Sequence, residues 1–411
     1  MKNNKIVILH VFIDGMNVTN TANDYDALPN VDNLYYYYAP QQNFRLKKIK
    51  DERVKIIRDF DEYVGYFSNP DIDVIIFYSL PHQYYFLFDY IDKNKYVVWW
   101  IWGYDIYNGQ GGNPPLLPLK NMYMPLTAAY MKKNAHMLGL ELPLYKKLLI
   151  YKLLGGLKSN IKNILGKCNQ AVILPAPKKT QNEILSRIDA AYAPLDIEID
   201  LLKEAQPSFK ADMFERPRMP KTFSFHYSKE PGNVLVNHSL TYTVNHIDIF
   251  DALKKVDLGN NRKYIFPVSY GIYGYKGNPE ILMKASGLDS SLTTWLTHLL
   301  PVEEYEQIVG TVTHAVFGMI RQQGLGNLYI CFQKGVKVYL FKDSLVYREL
   351  RKMGYVIFTI EDDLTSESLS KCLEEKDSYK NYSLFVDTWN DCSVEKCYLG
   401  IKKALFLRKE V

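Results

Sequence analysis

Short, unbroken apolar runs separated by longer amphipathic stretches are the feature that most constrains the fold of this chain. Residues 73–78 and 96–102 are nearly continuous runs of aliphatic and aromatic side chains, a pattern typical of strands buried on both faces of a parallel sheet. Residues 5–13 predict a first strand, and helices are predicted at residues 51–66 and 81–90. The resulting β-α-β-α-β order predicts a doubly wound α/β sheet.

The second half of the sequence repeats this alternation. Strands are predicted at residues 234–236, 263–268, 293–299, 315–320, 336–341 and 356–359, and helices at 245–255, 279–285, 326–334 and from Pro301. A helical region at 123–164 and a strand at 171–174 complete the first half, and the Pro-rich stretch 216–221 is interpreted as a linker. We therefore expect two Rossmann-like domains, residues 1–222 and 223–411, facing each other across a ligand-binding cleft.

Composition narrows the function classes. The 411 residues carry 50 basic and 45 acidic side chains, a formal net charge of +5, which does not indicate a nucleic-acid partner. The five cysteines include no C-x-x-C pair, so no zinc site is expected, and their scarcity favours a reducing, cytoplasmic compartment. We find no signal-peptide pattern and no apolar window of ~18 residues that predicts a spanning helix.

Residues 321–327, RQQGLGN, are the strongest candidate for a binding site. They join a predicted strand to a predicted helix, where free backbone N–H groups and the positive end of the helix dipole favour an anion. Gly324 and Gly326 let the backbone approach a ligand closely, and Arg321 could hold phosphate through two hydrogen bonds. Gln322, Gln323 and Asn327 complete the predicted donor-binding turn. The alternative is an ordinary βα turn with a surface arginine.

Other loops are expected at the same sheet edge, where ligands bind in doubly wound domains. The candidates for contact with a phosphorylated ligand are Ser239, Thr241, Thr243, Ser269, Tyr270, Glu304 and Tyr305. For the three hydroxyls after residue 236, helix capping is the alternative. The sequence has no G-x-x-x-x-G-K-[ST], no G-x-G-x-x-G after the first strand and no D-x-D pair poised for Mg²⁺. We therefore expect no metal and no cofactor, with Arg321 and helix dipoles stabilising a leaving diphosphate.

The pattern resembles glycosyltransferase family 56, the bacterial 4-acetamido-4,6-dideoxygalactose transferases, also named 4-alpha-L-fucosyltransferases, of enterobacterial common antigen synthesis. The resemblance is carried by RQQGLGN with the flanking Pro301-x-x-Glu304-Tyr305 and Gly335-x-x-Val338, by WIWGYDIY at residues 100–107, and by residues 234–247. Where the family has G-N-S, this chain has Asn237-His238-Ser239, and Thr241 replaces an acidic residue. These differences leave the identity of the donor sugar undetermined.

The resemblance implies a metal-independent GT-B glycosyltransferase. It would move a deoxyamino sugar or fucose from a nucleoside-diphosphate donor, with dTDP expected, to a lipid-linked oligosaccharide or another surface glycan. The family is taken as inverting, and it acts at the cytoplasmic face of the bacterial inner membrane.

Four residues of the first half are candidates on the acceptor side. Asp105 and Asp14 each follow a predicted strand, and either could be the base that takes the proton of the acceptor hydroxyl. Asp105 could equally cap the turn after Gly103. Trp102 and His82 are candidate acceptor contacts, with core packing and an ordinary helix start as their respective alternatives.

Residues 142–182 contain eight lysines and no acidic residue, interleaved with leucine and isoleucine. This pattern predicts basic amphipathic helices that lie on an anionic membrane, or helices packed on their own domain with a solvated lysine face.

The sequence also fits functions other than glycosyl transfer. One alternative is a two-lobed protein that binds a nucleotide or sugar without catalysis, and another is an epimerase or phosphorylase of the same architecture.

Overall fold

The chain divides into two compact units, each built on a parallel sheet. The computed structural model describes residues 5–13, 18–46, 49–108, 114–119, 122–134, 175–259, 261–271, 275–391 and 393–409. The first unit comprises Met1–Pro118, Leu142–Lys221 and Trp389–Val411, and the second comprises Leu119–Glu141 and Thr222–Thr388. The main division falls in the Pro-rich stretch 216–221. The predicted domains place residues 119–141 in the first domain and residues 389–411 in the second. The structure assigns each of these segments to the opposite unit.

The sheet of the first unit has seven strands in the order β3-β2-β1-β4-β5-β6-β7, all parallel. The strands are β1 Ile6–Val11, β2 Val31–Tyr38, β3 Lys55–Ile57, β4 Val74–Tyr78, β5 Tyr96–Trp100, β6 Ala190–Tyr192 and β7 Asp212–Met213. Every residue of β4 is buried, as its unbroken apolar sequence requires.

The sheet of the second unit has six parallel strands in the order β10-β9-β8-β11-β12-β13. They are β8 Asn233–Val236, β9 Tyr264–Pro267, β10 Thr293–Leu296, β11 Val312–Phe317, β12 Lys337–Leu340 and β13 Phe358–Thr359. In both sheets, strands are first added on one side of the first strand and then on the other, which is the doubly wound arrangement.

Helices connect the strands and continue after the last strand. They are α1 Val18–Asp26, α2 Phe60–Ser68, α3 Tyr104–Tyr107, α4 Pro125–Lys133, α5 Gln181–Ser186, α6 Asp196–Ala205, α7 His246–Leu253, α8 Pro279–Ser286, α9 Val302–Val309, α10 Leu325–Gln333, α11 Leu345–Lys352, α12 Ile360–Asp363, α13 Ser366–Leu369, α14 Glu375–Asp391 and α15 Val394–Lys409. Short 3₁₀ helices occupy His82–Asp89, Tyr242–Val244, Tyr275–Gly277 and Ser290–Leu292. Within the described ranges, no helix is both long enough and apolar enough to span a bilayer.

Each sheet has its own core. In the first unit Ile8, Ile76 and Trp100 pack with Cys397 and Ile401 of α15. In the second unit Val236, Phe266, Val316 and Tyr339 pack with Ile249, Phe250 and Leu253 of α7. The C-terminal helix thus buries Cys397 and Ile401 in the first unit, although it follows the second unit in sequence.

The alternation of the second half was predicted correctly, and most errors lie in the first. The helix expected at residues 51–66 is wrong at its start, because Lys55–Ile57 pairs with Tyr36, Tyr37 and Tyr38 as a strand. Helix α2 begins only after Asp59, whose carboxylate accepts the Glu62 N–H at 2.7 Å. Strand β2 was missed because its tyrosine run hides the alternation. The strand expected at 171–174 and most of the helical region at 123–164 lie outside the described residues.

Candidate functional site

Strands β8 and β11 are neighbours at the point where the strand order of the second sheet reverses. The carboxyl ends of the strands at this point are where doubly wound domains bind ligands. Asn237 follows β8 directly, buried and in the left-handed conformation (φ 59°). Its backbone N–H donates to the carbonyl of Val316 (2.9 Å), and its Oδ1 accepts from the Gly318 N–H (2.8 Å). One residue therefore fixes the start of both loops.

A row of polar side chains joins these two loops. Ser239 and Thr241 share a hydrogen bond of 2.9 Å, and Thr243 Oγ1 lies 3.3 Å from Thr241 Oγ1. Thr243 also donates to Gln323 Oε1 at 2.9 Å. The amide nitrogen of Gln323 is buried and has no partner among the described residues. Four residues predicted to bind the donor substrate thus lie together, and the Gln323 amide N–H group among them lacks a hydrogen-bond acceptor. Such a group favours a ligand that brings an acceptor, for example a phosphate oxygen.

Gly324 connects the arginine turn to α10. The preceding strand ends at Phe317, three residues earlier than predicted, so residues 318–324 form a longer turn than expected. Gly324 is left-handed (φ 66°), and a Cβ there would lie 2.4 Å from Nδ1 of His238. Any other residue would be strained by conformation and by this contact. The first N–H groups of α10, at Leu325 and Gly326, begin the helix and favour an anion in front of them.

His238 is a buried imidazole at the centre of this edge. Burial, together with the positive charge of Arg321, lowers the pKa of His238 to about 3, so the ring is neutral at physiological pH. Its Nδ1 is buried without a partner in the described part of the chain. From sequence, His238 stands out only as a departure from a family motif, and its position just after a predicted strand is the signal that could have assigned it to the site.

A cavity of about 360 Å³ opens beside His238. Its wall consists of aliphatic and aromatic side chains with a few polar groups, from Pro267, Ser269, Tyr270, Leu296, His298, Leu299, Leu300, Tyr305, Glu306, Gly326, Asn327 and Ile330. Tyr305 donates to Asn327 Oδ1. Of the predicted residues, Ser269, Tyr270, Tyr305, Gly326 and Asn327 therefore line one cavity.

Some predicted donor-site residues lie outside the wall of this cavity. Glu304 is exposed on α9, and Glu306 lines the cavity in its place. Arg321 is half-buried and hydrogen-bonds through Nη1 to the carbonyl of Gln322 at 3.3 Å. The described residues include no cluster of three histidine, cysteine or acidic side chains that could hold a metal ion.

Asp105, in the first unit, is a buried structural carboxylate. Its Oδ2 accepts from Trp99 Nε1 (3.0 Å) and from the Leu80 N–H (3.1 Å), while Oδ1 accepts from the Trp102 N–H (3.1 Å). Burial raises the pKa of Asp105 although these hydrogen bonds lower it. The side chain joins the ends of β4 and β5 to α3. This geometry matches the capping alternative better than a base that must reach an acceptor hydroxyl.

The remaining first-half candidates are spread along the same sheet. Trp102 is 42% exposed, directly after β5. His82 begins the 3₁₀ helix after β4, half-buried, with its ring 4.9 Å from that of Tyr85. Asp14 lies outside the described residues, as do residues 142–174 of the basic stretch.

Several solved structures have a similar fold. The α,α-trehalose 6-phosphate synthase of Burkholderia multivorans is 8% identical over 98% of this chain and 96% of its own, with a TM-score of 0.52. An O-GlcNAc transferase of Thermobaculum terrenum is 10% identical over 100% of this chain and 68% of its own, with a TM-score of 0.52. HepE of Anabaena, in complex with UDP and glucose, is 9% identical over 97% and 99%, with a TM-score of 0.50.

These similarities establish the fold. The two parallel sheets form a GT-B architecture of two Rossmann-like domains, which confirms the predicted fold class. No protein-family model matches the sequence, and no curated protein is significantly similar to it.

Asp105 should matter for stability. Replacing it with alanine removes the acceptor of three N–H donors, two of them buried, so we expect Asp105→Ala to lower the free energy of unfolding by roughly 3 kcal/mol. Urea denaturation measures this, with Asp71→Ala, an exposed carboxylate of the same unit, as the matched control. Equal stability of the two variants would contradict the structural role.

Acid should destabilise the protein through its buried histidines. Burial lowers the pKa of His238 and His246 to about 3 each, and that of His10 and His314 to about 4. Their folded pKa values lie below the ordinary 6.5, so the unfolded chain binds more protons and stability falls as pH drops below about 6.5. Each group costs up to about 2 kcal/mol at pH 5.

Urea titrations at pH 7 and pH 5 check this expectation. His246→Phe keeps a ring but removes one titrating group, so its loss of stability between the two pH values should be smaller than that of the wild type. His298→Asn alters an exposed histidine and serves as the control. An identical pH effect in wild type and His246→Phe would refute the assignment.

Proposed function

We propose that this protein is a metal-independent glycosyltransferase that uses a nucleoside-diphosphate sugar. The observation that carries the proposal is the edge formed by β8 and β11. There the Arg321 turn, the N-terminus of α10 and the hydroxyl row lie beside a mostly apolar cavity of about 360 Å³. A diphosphate fits the first three elements, and a nucleoside with its flat base fits the cavity.

Each part of the site has a separate role in this proposal. Tyr270 and Tyr305 offer aromatic surface to a base, and Ser269 and Asn327 offer hydrogen-bonding groups. Arg321, Gln323 and the N–H groups of α10 face the diphosphate. They stabilise the negative charge that develops on it in the transition state.

The reaction is a single displacement. The acceptor hydroxyl oxygen bonds to the anomeric carbon of the donor sugar while the bond from that carbon to the diphosphate oxygen breaks. The nucleoside diphosphate leaves with the bonding electrons, and the hydroxyl proton passes to a base. Asp14 is the proposed base, since the carboxylate of Asp105 is already occupied by three donors.

The substrates are proposed from the family resemblance. The donor is a dTDP-linked deoxyamino sugar such as 4-acetamido-4,6-dideoxygalactose, or a fucose donor, and the acceptor is a lipid-linked oligosaccharide at the cytoplasmic face of the inner membrane. A fold neighbour, HepE of Anabaena, has been solved in complex with UDP and glucose, which supports a nucleotide sugar in general. Binding without sugar transfer would favour the alternative of a non-catalytic binding protein.

The exposed face of α15 supports the membrane location. Leu399 and Phe406 are 55% and 61% exposed and lie seven residues apart, on one face of the helix. Exposed Lys402 and Lys403 flank them. Val394–Lys409 contains five basic residues and one acid. An apolar stripe bordered by lysines matches the interface of an anionic bilayer.

Arg321 should be required for turnover more than for folding. We expect Arg321→Ala to lower the release of nucleoside diphosphate from dTDP-, UDP- or GDP-sugars by a factor corresponding to roughly 2–4 kcal/mol, in the presence of EDTA. Its melting temperature should stay near that of the wild type. Arg348→Ala removes an exposed arginine of the same unit and is the control; full activity of Arg321→Ala would overturn the proposed site.

Membrane contact through α15 can be measured with vesicles. The double variant Leu399→Ser, Phe406→Ser should sediment with anionic phosphatidylglycerol vesicles roughly tenfold less than the wild type. Neutral phosphatidylcholine vesicles should capture little of either. Met353→Ser alters another exposed apolar residue, in the second unit, and should behave as wild type. Equal capture of all three proteins would rule out this surface.

A further inference from the structure

A segment from the first half of the sequence packs onto the second unit, against the edge that holds the candidate site. Residues 119–141 belong to the second unit. Leu119, Met124, Tyr130 and Met131 pack against its hydrophobic core. We call residues 122–133, which include α4, the crossing segment.

Asn245 fixes the start of the crossing segment. This buried residue is left-handed (φ 51°). Its Oδ1 accepts the Met124 N–H at 2.8 Å, and its Nδ2 donates to the Met122 carbonyl at 3.3 Å. The same Nδ2 donates to the Gly318 carbonyl at 2.7 Å. One side chain therefore ties the backbone on both sides of Tyr123 to the turn that leads into Arg321.

Asp248 of α7 fixes the N-terminus of α4. Met124 at the start of this helix makes no side-chain cap, and Pro125 has no N–H to satisfy. The Asp248 carboxylate accepts the N–H groups of Leu126 (2.9 Å) and Thr127 (2.8 Å). A helix N-terminus attracts a carboxylate strongly, so the crossing segment is held at two adjacent points.

Tyr123 lies between Met122 and Met124, the two residues whose backbone Asn245 holds. Its side chain is 38% exposed. Burial raises the pKa of Tyr123, and the positive charge of Arg321 acts in the opposite direction. The phenol therefore keeps its proton at neutral pH and lies in the field of the guanidinium, where an anionic ligand would be held.

We propose that Tyr123 is a binding residue of the donor site, and that its hydroxyl donates a hydrogen bond to a diphosphate oxygen of the nucleotide held by Arg321. This inference rests on the proposed function. The donor site then consists of Tyr123 from the crossing segment together with the loops that follow β8 and β11. The side chains of Asn245 and Asp248 hold the backbone of the crossing segment and so place Tyr123 beside the turn that leads into Arg321.

The test is the affinity of wild type and Tyr123→Phe for dTDP, UDP, GDP and ADP, measured by calorimetry, with thymidine as a ligand that lacks phosphate. We expect Tyr123→Phe to weaken binding of the preferred diphosphate by about tenfold or more and to leave nucleoside binding unchanged. Tyr379→Phe removes a hydroxyl from an exposed tyrosine of the same unit and should match the wild type.

The outcomes separate the two proposals. If wild type binds no nucleoside diphosphate, the proposed function fails and this inference fails with it. If wild type binds one and Tyr123→Phe binds it equally well, only the role of Tyr123 is overturned. Loss of diphosphate and nucleoside binding together would indicate a general packing role and would also overturn the phosphate contact.

Discussion

The second unit depends on how its two central strands end. Parallel strands β8 and β11 finish side by side with backbone groups that have lost their sheet partners, and buried groups of this kind must be paired. Two left-handed asparagines supply the pairing: Asn237 bonds Val316 and Gly318, and Asn245 bonds Gly318 and the crossing segment. Because asparagine tolerates the left-handed region and carries a donor and an acceptor, it can turn the chain and complete its hydrogen bonds together.

Electrostatics at this edge follow from the same burial. A charged imidazole beside Arg321 would repel it, but burial keeps His238 neutral, with a pKa of about 3. His238 therefore adds no positive charge that would repel the guanidinium, and the charge of Arg321 adds to the positive end of α10. The ring instead packs against Gly324, where a Cβ would collide with it. His238 thus shapes the turn without weakening its attraction for an anion.

The sequence predicted the second sheet well because its strands are short, apolar and separated by glycine and proline. It predicted RQQGLGN at the carboxyl end of β11 from local pattern alone, and the structure places it there. It missed Asn237, Asn245 and the crossing segment, since pairing between residues 122–124 and 245 joins positions more than a hundred apart, which no local periodicity encodes. It also left Asp105 open between two roles, because the three donors that occupy it come from Leu80, Trp99 and Trp102, and only the fold brings them together.

The polar groups that follow the strands differ between the two units in whether they are paired among the described residues. In the first unit, both oxygens of Asp105 accept hydrogen bonds, and Ser79 donates to the Tyr104 hydroxyl at 2.6 Å. In the second unit, Asn237 Nδ2, His238 Nδ1 and Gln323 Nε2 are buried without partners among the described residues. Unpaired buried polar atoms cost about 1–3 kcal/mol each. A fold retains such a cost most readily where a ligand removes it, and the proposed nucleoside diphosphate would bring acceptor oxygens to these groups.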